Sequence, residues 1–285
     1  MIAAALSYIR KAPRIYTYVR ADPVEAWLRL RAKAVKRWER RKPPCPYVPD
    51  AGWERQLHEI LGIQWPCSAT EEFWALWPRV IGSLTAKGIK VGVGHFNGWN
   101  DGDPAFVRAV WCLTRHLRPR HVVETGVARG VTSRFILEAL ERNETGHLWS
   151  IDLPPSLATD FHAEIGAAVA THCRHRWSYI RGSSQRRLPG LLASLGQIDL
   201  FVHDSLHTEA NVRFELQQAW SALRPGGAIV VDDIDLNWSF HSFAQTCAER
   251  KTLVCGAEPL EHEPFRPFDG KGLFGIAQKI DAGQS

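Results

Sequence analysis

His121-Val-Val-Glu-Thr-Gly-Val-Ala-Arg-Gly-Val-Thr-Ser133 is a short apolar run that passes directly into a glycine-bearing turn, and a helical pattern follows from Val131 to about Arg142. Gly126 and Gly130 can take backbone angles that a Cβ forbids, and they let a ligand approach the main chain. The free N–H groups that open the next helix then face that ligand. A second strand, His147-Leu-Trp-Ser-Ile-Asp-Leu153, carries Asp152, 26 residues after Gly126. A carboxylate there can accept hydrogen bonds from two ribose hydroxyls. Strand, glycine turn, helix, strand and acid together predict a nucleoside-cofactor site on a doubly wound α/β sheet.

The turn itself discriminates among nucleosides. Dinucleotide folds use G-x-G-x-x-G, whose middle glycine makes room for a pyrophosphate. Here the turn reads Glu124-Thr-Gly-Val-Ala-Arg-Gly130, with the glycines four apart and an acid just before them. Glu124 would repel a pyrophosphate and tolerate a zwitterionic or cationic ligand. The turn resembles motif I of the class I S-adenosylmethionine-dependent methyltransferases, with Ala128 where many members have glycine. That resemblance implies S-adenosylmethionine as cofactor, with Glu124, Thr125, Gly126, Gly130, Thr132, Ser133 and Asp152 as the residues that bind it.

From residue 121 onward, strands and helices alternate. Strands centre near Val122, Trp149, Tyr179, Phe201 and Val230, with two more near Leu253–Gly256 and Leu273–Gln278; helices fall near 131–142, 161–170, 185–194 and 208–223. Alternation of this kind argues for right-handed crossovers and a mostly parallel sheet. Seven strands with an antiparallel last one match the methyltransferase family. Gly182, Ser183 and Ser184 follow the third strand at its carboxyl end, the place that touches the adenine in that family.

Upstream, the chain divides into a helical N-terminal arm or cap over 1–90 and an S-adenosylmethionine-binding methyltransferase domain over 91–285. One helix is predicted from Asp22-Pro23 to about Arg41, with Asp22 as N-cap and Pro23 at the first helical position. Its basic residues Arg29, Lys33, Lys36, Arg37 and Arg40 read as a solvated face beside a packing stripe that holds Trp27 and Trp38. Trp53, Leu57 and Leu61 mark another helix, and a further one spans about Thr70–Leu84. The stretch Gly92–Pro104 is a loop rich in Gly, Asn and Asp, and Asp103 can cap the helix that follows to about His116.

Composition is that of a globular protein: 285 residues, 45% hydrophobic and 23% charged. No run has the length a membrane span needs, and the N-terminal Ile2–Leu6 run is too short for a signal-peptide core; the cytoplasm is the expected location. The six cysteines, 45, 67, 112, 173, 247 and 255, form no C-x-x-C pair and read as reduced packing residues rather than a disulfide frame or a zinc site. Residues 1–50 hold 12 Lys and Arg against 4 Asp and Glu, so the positive surplus belongs to the arm.

The chemistry gathers at two further strand ends. Ile198-Asp-Leu-Phe-Val-His-Asp204 ends in an acid followed by Ser205-Leu206-His207, and Gly227-Ala-Ile-Val-Val-Asp-Asp233 ends in two, with Asp232 lying 28 residues after Asp204. Adjacent parallel strands would deliver three carboxylates to one sheet edge, where they repel unless a cation sits among them. Oxygen ligands suit a hard divalent ion such as Mg2+. Asp204, Asp232 and Asp233 resemble the metal triad of cation-dependent O-methyltransferases of the catechol and macrocin types. The wider stretch with Leu223-Arg-Pro-Gly-Gly227 looks like the bacterial methyltransferase-24 family.

By that resemblance His207, three residues after Asp204, is the general base. Asp232 stands where the macrocin-type enzymes have glutamate, and no lysine matches the catechol enzymes' base. The expected reaction is methylation of a hydroxyl on a sugar, glycan or other polyhydroxylated small molecule, as in natural product biosynthesis. His203 is expected to point away and pack. Trp99, Asn237, Trp238, Phe240 and His241 are expected on loops that border the acceptor. A homo-oligomer is expected, with no nucleic-acid partner. The rival readings are an NAD-dependent oxidoreductase, a nucleic-acid methyltransferase that grips through the basic arm, and a non-catalytic scaffold.

Overall fold

A computed structural model describes residues 16–39, 41–92, 94–100, 102–156, 158–246, 250–258 and 272–280. Seven strands form one sheet: β1 (His121–Thr125), β2 (His147–Asp152), β3 (Trp177–Arg181), β4 (Ile198–His203), β5 (Leu223–Val231), β6 (Arg250–Gly256) and β7 (Leu273–Lys279). Their spatial order is β3-β2-β1-β4-β5-β7-β6. The first five run parallel, and β7 is antiparallel to both β5 and β6. Strand order reverses on either side of β1, so the crevice at the carboxyl ends of β1 and β4 is where a doubly wound sheet takes its ligand.

Side-chain alternation along the strands assigns the two faces. Val122, Leu148, Leu200, Val202 and Val230 face one layer, built from α2 (Trp53–Leu61), α3 (Ser68–Ala86), α4 (Pro104–Leu117) and α5 (Val131–Asn143). Val123, Ile151, Phe201, Ile229 and Val231 face the other, formed by α6 (Ser184–Leu195), α7 (Glu209–Ala222) and α8 (Ser239–Thr246). Trp53, Leu57, Phe73, Trp77 and Leu84 pack into the first layer beside Trp111 and Phe135, so α2 and α3 share the core of the sheet. Arg108 is buried there, ion-paired to Glu54 and Glu258 and lying over the rings of Trp53 and Trp74. Asp103 caps α4 by accepting the Ala105 N–H at 2.9 Å, with Pro104 at the first helical position.

The helix expected over 161–170 does not form. A 3-10 turn spans Thr159–Glu164, and a second spans Thr171–Arg176. Between them the backbone is committed elsewhere: the Gly166 N–H donates to Ala128 O and the Ala168 N–H to Arg129 O. A helix would consume those donors internally. Gly166 has φ 67°, and a Cβ there would come 2.5 Å from the Trp177 ring. The segment is thereby fastened to the turn after β1.

The first described helical segment, residues 16–21, leads into α1 (Pro23–Glu39), which crosses the carboxyl edge of the sheet. Glu25 accepts the Ser183 hydroxyl at 2.8 Å, Arg29 donates to Pro154 O at 2.8 Å, and Lys36 lies 4.2 Å over the Trp99 ring. The basic face is therefore partly turned inward through Arg29 and Lys36, because each finds backbone carbonyls or an aromatic face to cover. Arg40 lies outside the described residues, as does Cys247. Trp27 and Trp38 are 64% and 60% exposed in the single chain.

Candidate active site

The turn after β1 is shaped by close contact. Gly126, at φ 88°, donates its N–H to Ile151 O, and the Asp204 N–H donates to Thr125 O, so the ends of β1, β2 and β4 are tied together. Ala128 takes φ 47° in the same turn, and Gly130 at φ 77° opens α5. Arg129 is buried; its guanidinium bonds Glu164 at 2.7 Å and His95 O at 2.9 Å and lies over Phe96. One arginine thus fixes the turn, the segment after β2 and the 92–100 loop.

A cleft opens beside this turn, lined by Asn100, Asp103, Val127, Thr132, Asp204 and Asp232, among others. Asp152 sits at the end of β2 with the Leu153, Ala128 and Val127 N–H groups directed at it; burial nevertheless pushes its pKa up to about 6. Among the residues anticipated as cofactor ligands, Gly126, Gly130, Thr132 and Asp152 lie at or beside the cleft. Glu124 faces the α5 layer, fully buried, and accepts the Ser133 and Ser150 hydroxyls, each at 2.7 Å. Burial raises its pKa to about 7. The Thr125 hydroxyl points to the opposite face and donates to Glu215 at 2.6 Å. Beyond Gly182, the Ser183 hydroxyl is held by Glu25 of α1 and the Ser184 hydroxyl by Asn211.

The three strand-end carboxylates do meet at the same edge. Burial and mutual repulsion hold Asp204 and Asp232 well above the usual carboxylate range; Asp233 is the next cause for each, and Asp103 adds to it for Asp232. His207 Nε2 stands 3.8 Å from Asp204 Oδ1 and 3.7 Å from Asp233 Oδ2. Burial pushes the His207 pKa down to about 4, so the ring is neutral at neutral pH. Its Nδ1 is buried without a hydrogen-bond partner, and its carbonyl accepts the Asn237 amide at 3.4 Å. Crowded acids with raised pKa values are the environment a cation relieves, and all the donors are hard oxygens. Among the described residues, these three carboxylates are not one of the groups whose ligand atoms all lie within 4.8 Å of one another.

His203 faces away from the cleft, as expected, and does more than fill space. Its Nδ1 pairs with Glu215 at 2.6 Å, and its ring stands edge-on to His207 with centroids 5.4 Å apart. Glu215 also accepts from Thr125, Ser205 and Asn211, so one buried carboxylate links β1, the 204–208 loop and α7. On the acceptor side, Trp99 is 41% exposed and lies 5.8 Å from the His207 ring. Phe240 is buried in the second core layer rather than on an acceptor loop, and the Trp238 indole donates to Pro43 O. Sequence reasoning missed Asn100 in the cleft wall, the Glu215 hub, and the inward role of Arg29 and Lys36. Partners such as Thr125 for Glu215, Trp99 for Lys36 and Pro154 for Arg29 lie outside the element that carries the residue and leave no local signal.

Residues 123–234 match the Methyltransf_24 family, described as a methyltransferase domain. No curated protein matches the chain in sequence. Among solved structures, the chain is similar to a putative O-methyltransferase from Klebsiella pneumoniae, at 16% identity over 81% of this chain and 97% of that one, with a TM-score of 0.50. It is also similar to the O-methyltransferase TomG from Streptomyces achromogenes in complex with SAM, at 16% identity over 71% and 88% of the two chains, TM-score 0.48. A third is the O-methyltransferase from Bacillus cereus in complex with SAH, at 13% identity over 80% and 98%, TM-score 0.47. The Klebsiella likeness shows a shared fold.

Proposed function

We propose that this chain, whose residues 123–234 match a methyltransferase domain, methylates a hydroxyl oxygen with S-adenosylmethionine as donor. The acceptor is a sugar or another polyhydroxylated small molecule or glycan. His207 is the general base, and Asp204, Asp232 and Asp233 hold a divalent cation such as Mg2+. The observation that carries this reading is the placement of a buried, neutral histidine against two carboxylates at the rim of the cofactor cleft.

Asp152 is the group for the ribose, and the turn from Gly126 to Gly130 with Thr132 closes on the rest of the cofactor. When bound, S-adenosylmethionine supplies an electrophilic methyl on its sulfonium, and the divalent ion supplies Lewis acidity that favours the acceptor alkoxide. His207 accepts the acceptor's hydroxyl proton on Nε2, and the carboxylates of Asp204 and Asp233 compensate the imidazolium charge. Asn237 holds the His207 backbone and His203 backs its ring, which keeps base and acceptor in register. The exposed face of Trp99 supports a carbohydrate acceptor, since aromatic faces stack on sugar rings.

Arg29 and Lys36 contact this chain's own cleft edge, which weakens the reading of the arm as a nucleic-acid grip. The exposed Trp27, Leu30 and Trp38 favour a homo-oligomer. No helix among the described residues is long and apolar enough to cross a membrane; we place the enzyme in the cytoplasm.

Calorimetric titration with S-adenosylmethionine, S-adenosylhomocysteine and NAD, each with and without Mg2+, tests the core of the reading. The expected result is micromolar binding of the two sulfur compounds, none of NAD, and a Mg2+ response lost in Asp204→Ala. Failure to bind either sulfur compound would overturn the function. Binding with no metal response would remove the carboxylate site alone.

A further inference from the structure

Away from the cleft, three helices of the first core layer bring two histidines and a cysteine together. His58 on α2, Cys67 at the N-cap of α3 and His116 in the last turn of α4 place their ligand atoms within 4.8 Å of one another. Cys67 Sγ is 2.9 Å from His58 Nε2 and 3.4 Å from His116 Nε2. We propose that His58, Cys67 and His116 bind a zinc ion that fastens the three helices.

Each donor is prepared for a metal. The His58 ring is fully buried, and its Nδ1 is 2.7 Å from Glu54 O, a carbonyl that can only accept. That contact fixes the proton on Nδ1 and leaves the Nε2 lone pair aimed at the sulfur, so a proton or a metal ion must lie between them. A carbonyl holding the far nitrogen is the usual outer support of a zinc-bound histidine. The His58 and His116 imidazoles both approach the Cys67 sulfur, which ligates as the thiolate once its proton leaves.

Zinc with Zn–S about 2.3 Å and Zn–N about 2.0–2.1 Å sets its tetrahedral ligands roughly 3.5 Å apart. The Cys67–His116 separation matches that spacing, and the shorter Cys67–His58 separation would widen as the ion replaces the proton between them. Binding releases the proton now shared at the sulfur to solvent. The site lies at the far end of α4 from Asp103, about 20 Å away at 1.5 Å per residue, so its role is to fasten α2, α3 and α4 rather than to act on substrate.

The test is the metal content of the full chain purified without chelator, followed by exchange into Co2+. We expect one zinc per chain, released by a mercurial, and a Co2+ form with a thiolate-to-metal absorption band. Cys67→Ser and His116→Ala lose the zinc, whereas Cys45→Ser and Asp204→Ala retain it; the last separates this site from the cleft carboxylates. If the ligand variants fail to fold, the Co2+ spectrum of the unaltered chain decides. Folded protein with no zinc and no thiolate-to-cobalt band overturns the proposal, as does a Cys67–Cys112 disulfide mapped in the purified chain.

Discussion

Gly126 packs its Cα directly against the backbone carbonyl of Asp204, the point at which the turn after β1 meets the loop after β4. A methyl group on Gly126 would occupy the space of that carbonyl oxygen, and the position also needs φ 88°. Gly126→Ala must therefore push the two loops apart. Backbone strain alone costs about 1–3 kcal/mol, and the displaced Asp204 leaves the carboxylate group. The expected outcome is a melting temperature lowered by several degrees and loss of S-adenosylhomocysteine binding. A variant that binds as tightly as the parent would contradict this account of the turn.

Asp152→Ala should keep the fold and weaken the cofactor. The side chain lies at the end of β2, where the Leu153, Ala128 and Val127 N–H groups converge. Hydrogen bonds to charged groups contribute about 1.5–3 kcal/mol, so S-adenosylhomocysteine affinity should fall roughly 10- to 150-fold by calorimetry, with little change in the circular dichroism spectrum.

His207→Ala separates binding from chemistry. Removal of a general base costs about a hundredfold to ten-thousandfold in rate, so kcat should drop by that range while cofactor affinity holds. Equal losses in both would show that the ring only supports the cleft.

Acid should loosen the hub at Glu215. Burial opposes its ionisation, but His203 chiefly, with the Thr125 hydroxyl, outweighs that and brings its pKa down to about 2. A carboxylate with a depressed folded pKa lends stability above its ordinary value near 4.5, and that stability is lost as pH falls toward 2. Urea unfolding of the parent should weaken across that window. Glu215→Gln should be less stable at neutral pH and show a shallower decline on acidification; an unchanged slope would remove Glu215 from the account.

Lys36→Ala uncovers one face of Trp99. The cation–ring contact is 4.2 Å, and such a contact contributes about 0.5–1 kcal/mol when exposed. Acceptor KM should shift a fewfold at unchanged cofactor affinity, while Trp99→Ala should raise KM further. Cofactor affinity that moves with either substitution would place Trp99 on the wrong side of the cleft.

Much of this architecture was legible because it is local. The strand–turn–helix from His121 to Asn143 and the acids after β4 and β5 are contiguous in sequence, and the alternation of strands with helices predicted the mostly parallel sheet. The illegible parts depend on distant partners. The 159–176 segment looks helical until its N–H groups are drawn to Ala128 and Arg129. Ser183 reads as a cofactor ligand until Glu25, far upstream, takes its hydroxyl. The same holds for Cys67, which has no motif spacing because three separate helices bring it together with His58 and His116.

α1 is fastened at both ends across the carboxyl edge of the sheet. At one end Asp22 pairs with Arg186 at 2.6 Å; at the other Lys42 pairs with Glu209 at 2.6 Å, and Glu39 accepts the Glu209 N–H. Ion pairs near the surface are each worth under about 1 kcal/mol and weaken with salt. High salt should therefore release the ends of α1 before its middle, where Glu25 and Arg29 hold Ser183 and Pro154 by hydrogen bonds.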